Sequence, residues 1–296
     1  LSFANLLRLL LLAALWGATF LFLRIAVPAL GPAMLIELRV AIAAVFLAIV
    51  GLAMGRKLSF RARWKHYLIL GGLNSALPFL LLAFAAQSLS ASLLSILNAT
   101  TPTFGAIVLA VWTRTRPTAR VLAGLVIGLV GVGIVLGLDT IRAPGGGLAV
   151  AACLGATLSY GISTTYTKLN AGDDAFASAH GSMWGAALLV LPLALLFPPQ
   201  AVPGPGVIAA VLALGILSTG IAYLLYFRLV NEVGPTSALT VTFLIPVFGV
   251  LWGVLFLDEQ VGWNTFVGAV VVLIGTALVT GFRLPRLSAS AAGSRS

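Results

Sequence analysis

The chain has 296 residues, of which 60% are apolar and 8% charged, with a formal net charge of +10 and one cysteine. That composition excludes a soluble globular domain, and the lone Cys153 excludes a disulfide framework and a cysteine-based metal site. The basic balance implies a nucleic-acid partner only if the cations share one folded face, so their placement has to be read first.

Apolar runs of about 20 residues, each long enough to cross a hydrocarbon core of roughly 30 Å as a helix, succeed one another along the chain. Split at charges, Pro and Gly, they predict ten helices: 6–27, 32–53, 66–88, 91–112, 118–137, 147–169, 176–197, 207–229, 236–257 and 262–282. The first run follows Arg8 but is over-long for a signal peptide and lacks a small-residue cleavage site, so it reads as a membrane helix. Cys153, inside the sixth, reads as a packing residue. The segment 284–296 is polar and aperiodic and is expected to be a disordered cytoplasmic tail.

With the N-terminus inside, the cytoplasmic side receives Arg8, the cluster Arg56, Lys57, Arg61, Arg63 and Lys65, then Arg114, Arg116, Arg120, Lys168, Arg228, Arg283, Arg286 and Arg295. Only Arg24 and Arg142 fall on the other side, and Arg39 lies within the second helix. The positive-inside rule therefore predicts both termini in the cytoplasm of a bacterial inner-membrane protein. Cations scattered through short loops serve topology, so no nucleic-acid partner is expected; the partners are a lipid bilayer and a small-molecule substrate.

The sequence repeats itself. Pro102, Phe104, Gly105, Gly124, Gly131 and Gly137 recur 144 residues later as Pro246, Phe248, Gly249, Gly268, Gly275 and Gly281, and Gly71 pairs with Gly215 at the same offset. Ala13, Ala14, Gly17, Ala18 and Thr19 recur 138 residues later as Ala151, Ala152, Gly155, Ala156 and Thr157. Five helices per copy is an odd number, so the second copy enters the membrane from the opposite side. The expected fold is thus an all-α integral membrane protein, with repeats 1–139 and 140–283 inverted around a central cavity. Inverted repeats are a recurrent plan of secondary transporters and also occur in channels; both readings stay open here. Glycines at 124, 128, 131, 133 and 137 suit close helix packing, which favours bracing of each half over dimerisation, while monomer and homodimer both stay open.

Polar and aromatic side chains gather at mid-membrane depth, where an interfacial aromatic belt does not account for them. They are Trp16, Thr19, Phe20, Asn74, Ser75, Phe79, Asn98 and Thr101 in the first half, then Tyr160, Ser163, Thr164, Trp184, Ser218, Thr219, Tyr223, Tyr226, Thr240 and Thr242 in the second. Taken singly, such residues more often bond helix to helix; together they imply a wet cavity for a neutral or zwitterionic solute with an apolar or aromatic group. Pro102 and Pro246 at helix centres fit either packing kinks or carbonyls freed toward that cavity. Arg24, Glu37 and Arg39 are the intramembrane charges, and the default expectation pairs Glu37 with Arg24, substrate carboxylate attraction being the minority reading. His66 and His180 offer no convincing proton relay, and His180-Gly181-Ser182 lacks the glycines of a nucleophile elbow. Asp173 and Asp174 stand without further ligands, so neither catalysis nor a cofactor nor a metal is expected.

Trp16-Gly17-Ala18-Thr19-Phe20 followed by Arg24, Arg39 before Ala41, and Pro102 with Phe104 together resemble the EamA-type family of drug/metabolite transporters, over nearly the whole chain. Pro246, Phe248 and Glu259 match the family's ending of each half, whereas Thr115 stands where the first half would carry the Glu and Leu154 where the second would carry the Trp. The likeness is greatest to the ten-helix YddG-type exporters. It implies efflux of aromatic and other neutral amino acids through a basket-shaped cavity, with Trp16, Thr19, Phe79, Asn98, Thr101, Tyr160, Ser163, Trp184, Tyr223 and Thr242 on its wall. Alternating access by rocking of the two halves, and export of other metabolites or drug-like compounds as the alternative cargo, follow from the same likeness.

Overall fold

The computed structural model describes residues 2–56, 60–170, 174–199, 201–238 and 240–281; the expected tail at 284–296 lies outside them. Among the described residues all regular structure is helical. The long elements are α1 (Phe3–Ala53), α2 (Arg63–Ala85), α3 (Ala91–Thr113), α4 (Ala119–Arg142), α5 (Gly146–Leu169), α6 (Ala175–Leu196), α7 (Pro205–Val233), α8 (Val241–Leu257) and α9 (Trp263–Thr280). Eight are long and apolar enough to cross a membrane, and the shorter α8 is equally apolar. Apolar side chains also cover the outside: Leu122, Val126 and Leu129 form an exposed stripe down α4, as a helix facing hydrocarbon requires.

Local chemistry sets the ends. Ser2 caps α1 by accepting from the Asn5 amide at 3.3 Å, and Ser90 caps α3 by accepting from the Leu93 amide at 3.2 Å. The first two predicted helices form one helical run that turns at Gly31, whose φ of 70° and ψ of 163° suit a residue without a side chain. Pro28 and Pro32 flank that corner and add their missing donors to it. Two other predicted boundaries shift. A short turn of helix at Pro235–Ala238 precedes α8, so the long helix begins at Val241 instead of residue 236. Beyond the kink at Gly137 (φ 57°), α4 continues to Arg142.

The two copies meet by backbone contacts that exchange under the 144-residue offset. Gly124 faces Gly275 and Val279, Gly131 faces Val272, and Gly268 faces Val135 and Gly131, so α4 and α9 run antiparallel. The pair Gly124–Gly275 maps onto Gly268–Gly131, which is the signature of a two-fold axis perpendicular to the helices. Closer to the centre, Gly71 of α2 abuts Ser182 and Ala186 of α6, while Gly215 of α7 abuts Arg39 and Ile42 of α1. Ala186 and Ile42 are themselves 144 apart. At these contacts both helices widen into π-helical turns: Gly71 immediately precedes Gly72–Ala76, and Gly215 lies within Ala213–Ile221. The turns ending α3 and α8 also correspond: Arg114 (φ 53°) and Asp258 (φ 52°) are the left-handed non-glycine residues among those described.

At Gly131 a Cβ would stand 2.6 Å from the Val272 amide nitrogen, whereas at exposed Gly133 it would meet nothing within 4 Å. Gly131→Ala is expected to lower unfolding stability in detergent by about 1–3 kcal/mol through overpacking. Gly133→Ala, the matched control, is expected to change it by less than about 1 kcal/mol. Thermal unfolding of both purified variants against the parent checks the pair.

Candidate functional site

A cavity of about 660 Å³ occupies the middle of the molecule, between the two copies. Its rim lies at the end of the bundle where α5 ends and α6 begins, with exposed Thr167, Lys168, Asn170 and Ala175 on it. We call this the basal end, and the opposite one, which carries the α2–α3 and α8–α9 turns, the distal end.

The π-helical turns aim polar groups into this space. A π turn leaves backbone groups out of the regular ladder, and here hydroxyls take them up: Ser159 donates to the Leu73 carbonyl at 2.7 Å and Thr219 to the Leu214 carbonyl at 2.8 Å. Asn74, in the first turn, donates to the Tyr223 hydroxyl at 3.0 Å and accepts from Ser163 at 3.3 Å. Ser218, in the second, donates to the Leu15 carbonyl at 2.8 Å, tying α7 to α1. Aromatic rings form the rest of the wall. Trp16 and Tyr226 lie 5.5 Å apart between centroids, and Tyr223 stacks on Phe227 at 5.8 Å.

Arg39 is the charge at depth. It lines the cavity yet is only 4% exposed, its Nε donates to Thr219 Oγ1 at 3.1 Å, and its guanidinium carbon sits 3.6 Å from the centroid of the Phe79 ring. Nη1 is shielded and has no hydrogen-bond partner. Among the described residues lining the cavity there is no Asp or Glu. Among the described residues no three of His, Cys, Asp or Glu gather as a metal site.

Of the residues singled out from the sequence, Trp16, Thr19, Phe20, Phe79, Asn98, Thr101, Tyr160, Ser163, Tyr223 and Thr242 all face this one cavity, with Pro102 among them. Trp184 does not reach it. One helical turn away His180 offers Nε2, and the indole donates there at 3.0 Å. Pro246 is buried beside the cavity without lining it, and α8 runs through it unbroken, while the helix of the first half does break, at Ala99–Thr100 just before Pro102. Glu37 and Arg24 do not pair. Arg24 reaches instead the carbonyl of Ala86 at 2.7 Å, because a helix end leaves its last carbonyls without intrahelical donors and α2 ends there. The sequence reading missed Phe227 and the rim at His66, Thr167 and Lys168. Phe227 lies four residues after Tyr223, one turn along the same face, which was the available signal.

The distal end is tied across the repeats. Glu259 accepts from the amides of Ala91 (2.6 Å) and Ser92 (2.9 Å) and from the Ser92 hydroxyl (2.6 Å), so a carboxylate of the second copy caps the α3 N-terminus in the first. At the equivalent turn near the basal end the Thr115 hydroxyl shares a hydrogen bond with that of neighbouring Thr113 at 2.8 Å, and Pro235 stands where Ala91 would, without an N–H to give; the exposed ion pairs Arg8–Glu232 and Arg56–Asp174 cross between the copies at this end.

The sequence profile of the EamA-like transporter family matches twice, over residues 4–137 and 147–281. An uncharacterized transporter of Bacillus subtilis (strain 168), YoaV, is 27% identical over 90% of this chain and 93% of its own length. An uncharacterized transporter of Archaeoglobus fulgidus is 24% identical over 89% of this chain and 94% of its own. A crystal structure of 21% identity superposes with a TM-score of 0.67, covering 94% of this chain and 97% of the other, which shows a shared fold.

Glu259→Ala removes the acceptor of three donors and is expected to cost about 1–2 kcal/mol of unfolding stability. Thr115→Ala, at the exposed counterpart, is expected to cost under about 0.5 kcal/mol. Chemical unfolding of the two variants side by side reads the difference.

Proposed function

The chain belongs to the EamA-like transporter family, and on that footing we propose that it is a secondary transporter exporting small organic solutes, aromatic and other neutral amino acids foremost, across a bacterial inner membrane. The observation that carries this reading is the cavity at the junction of the two copies, large enough for one such solute, walled by rings and hydroxyls and reaching the surface at one end. Counting the α1 run as two spans about Gly31 gives ten crossings, and five per copy supports the reading of 1–139 and 140–283 as inserted in opposite senses. The basal end holds Arg8, Arg56, Arg63, Arg114, Arg116, Arg120, Lys168 and Arg228, and the positive-inside rule supports reading it as the cytoplasmic side. The cavity then faces the cytoplasm, where an exporter loads, while the distal end is held by the Glu259 cap. Tilting of one copy against the other about the fixed site would expose it on the far side.

Roles follow from position. Trp16, Phe20, Phe79, Tyr160 and Tyr223 take the apolar face of the solute; Thr19, Asn98, Thr101, Ser163 and Thr242 meet its polar groups; the Asn98 carbonyl that Pro102 leaves without a helical donor accepts from the Thr101 hydroxyl at 2.7 Å.

Purified protein in liposomes, offered labelled phenylalanine, threonine and a sugar with and without a pH gradient, tests the proposal. Phenylalanine and threonine are expected to accumulate over the sugar, with Trp16→Ala and Tyr223→Ala each lowering phenylalanine flux about tenfold or more, the loss of one buried ring contact. Equal flux of all three compounds, unchanged in both variants, contradicts it.

A further inference from the structure

Arg39 is the one feature of the cavity that aromatic walls and hydroxyls do not account for. A cation at this depth without a counter-ion is strongly disfavoured, and such a group persists where something offsets it. Among the described residues no carboxylate forms an ion pair with it, Thr219 uses one of its donors, Phe79 covers one face, and Nη1 is shielded and unpartnered. The residue 144 positions later is Met183, fully buried on α6 in the copy of the same helix contact: Gly71 abuts Ser182 and Ala186, as Gly215 abuts Arg39 and Ile42. The packing therefore accepts an apolar side chain at this position, and the charge on Arg39 answers to the cavity it lines.

We propose that Arg39 anchors a carboxylate, and that the solute is recognised as an aromatic carboxylate anion, to which an α-ammonium group adds little. This rests on the reading of the cavity as a site for an aromatic solute. The guanidinium fork matches a planar carboxylate, and Phe79 and Thr219 hold it in place to receive one. Among the described residues the lining carries Arg39 and Lys168 and no Asp or Glu, so at the depth of Arg39 a cationic ammonium meets hydroxyls, amides and ring faces. A single deep guanidinium suits a monoanion better than a phosphate dianion, whose oxygens need more donors than the wall presents.

Isothermal titration of the purified full-length chain with 3-phenylpropionate, phenylalanine, phenylalaninamide and inorganic phosphate tests this, in the wild type, Arg39→Met and Arg39→Lys. In the wild type, 3-phenylpropionate is expected to bind at least as tightly as phenylalanine, and the amide about 30-fold or more weakly. Arg39→Met, which copies the residue of the second half, is expected to keep its melting temperature and bind acid and amide alike; Arg39→Lys is expected to restore part of the preference for the acid. If the wild type binds amide and acid equally, or Arg39→Met keeps the preference, the anchor is overturned and the aromatic reading stands. Tighter binding of phosphate than of 3-phenylpropionate overturns the carboxylate class, and failure of all three aromatic probes to bind overturns both the inference and the reading beneath it. The acid-to-amide ratio in the wild type decides the matter even if Arg39→Met does not fold.

Discussion

Everything that positions the cavity depends on two places where a helix has no side chain between itself and its neighbour. At Gly71 and Gly215 a Cβ would stand 2.5 Å from the Ser182 carbonyl oxygen and 2.6 Å from the Ile42 side chain, respectively. The close approach pins α2 to α6 and α7 to α1, and the backbone opens into π-helical turns directly after Gly71 and around Gly215. Opened turns cost backbone bonds in a medium with no water to replace them, so Ser159 and Thr219 take up carbonyls. The turns in exchange aim Asn74, Ser218 and Thr219 at the centre, where Asn74 orients Tyr223 and Thr219 orients Arg39. Packing, backbone irregularity and site chemistry thus follow from one constraint used twice.

Duplication supplies the frame and divergence supplies the direction. The glycine contacts of α4 and α9, the pins at Gly71 and Gly215 and the left-handed ends at Arg114 and Asp258 obey the two-fold relation. Two of the departures from it bear on direction. Arg39 faces the cavity where Met183 fills its counterpart, which gives the site a single sense of charge. Glu259 caps α3 across the copies at the distal end, whereas its counterparts Thr115 and Pro235 lack that carboxylate and that N–H, and the basal end, where the cavity reaches the surface, is crossed instead by the exposed ion pairs Arg8–Glu232 and Arg56–Asp174. An unbroken two-fold would make both ends equivalent; these two departures are what distinguish loading from release in this account.

Much of this was legible in the sequence because a bilayer allows few solutions. Apolar runs locate the helices, and glycines in register carry the repeat, since neither depends on long-range contacts. Cavity residues were legible as a set, polar groups and rings at mid-depth, and ten of the eleven named as substrate-contacting face one space. Trp184 was not legible as an exception, because its depth is right and only the local bond to His180 turns it elsewhere. The Glu37–Arg24 pairing failed for a similar reason: sequence distance and charge say nothing of the free carbonyl at Ala86, which α2 brings within reach of Arg24. The π-helical turns leave no mark on hydropathy, since they change geometry without changing composition.

The central claim is that one five-helix plan is folded twice in opposite senses across the membrane. Single cysteines at Arg114 and Asp258, equivalent residues of the two copies, test it directly by labelling with a membrane-impermeant maleimide from each side of sealed vesicles; native Cys153 is buried. The account predicts that Arg114→Cys reacts only from the cytoplasmic side and Asp258→Cys only from the opposite side. Labelling of both from the same side would contradict the inversion, and with it the two-ended cavity on which the transport reading stands.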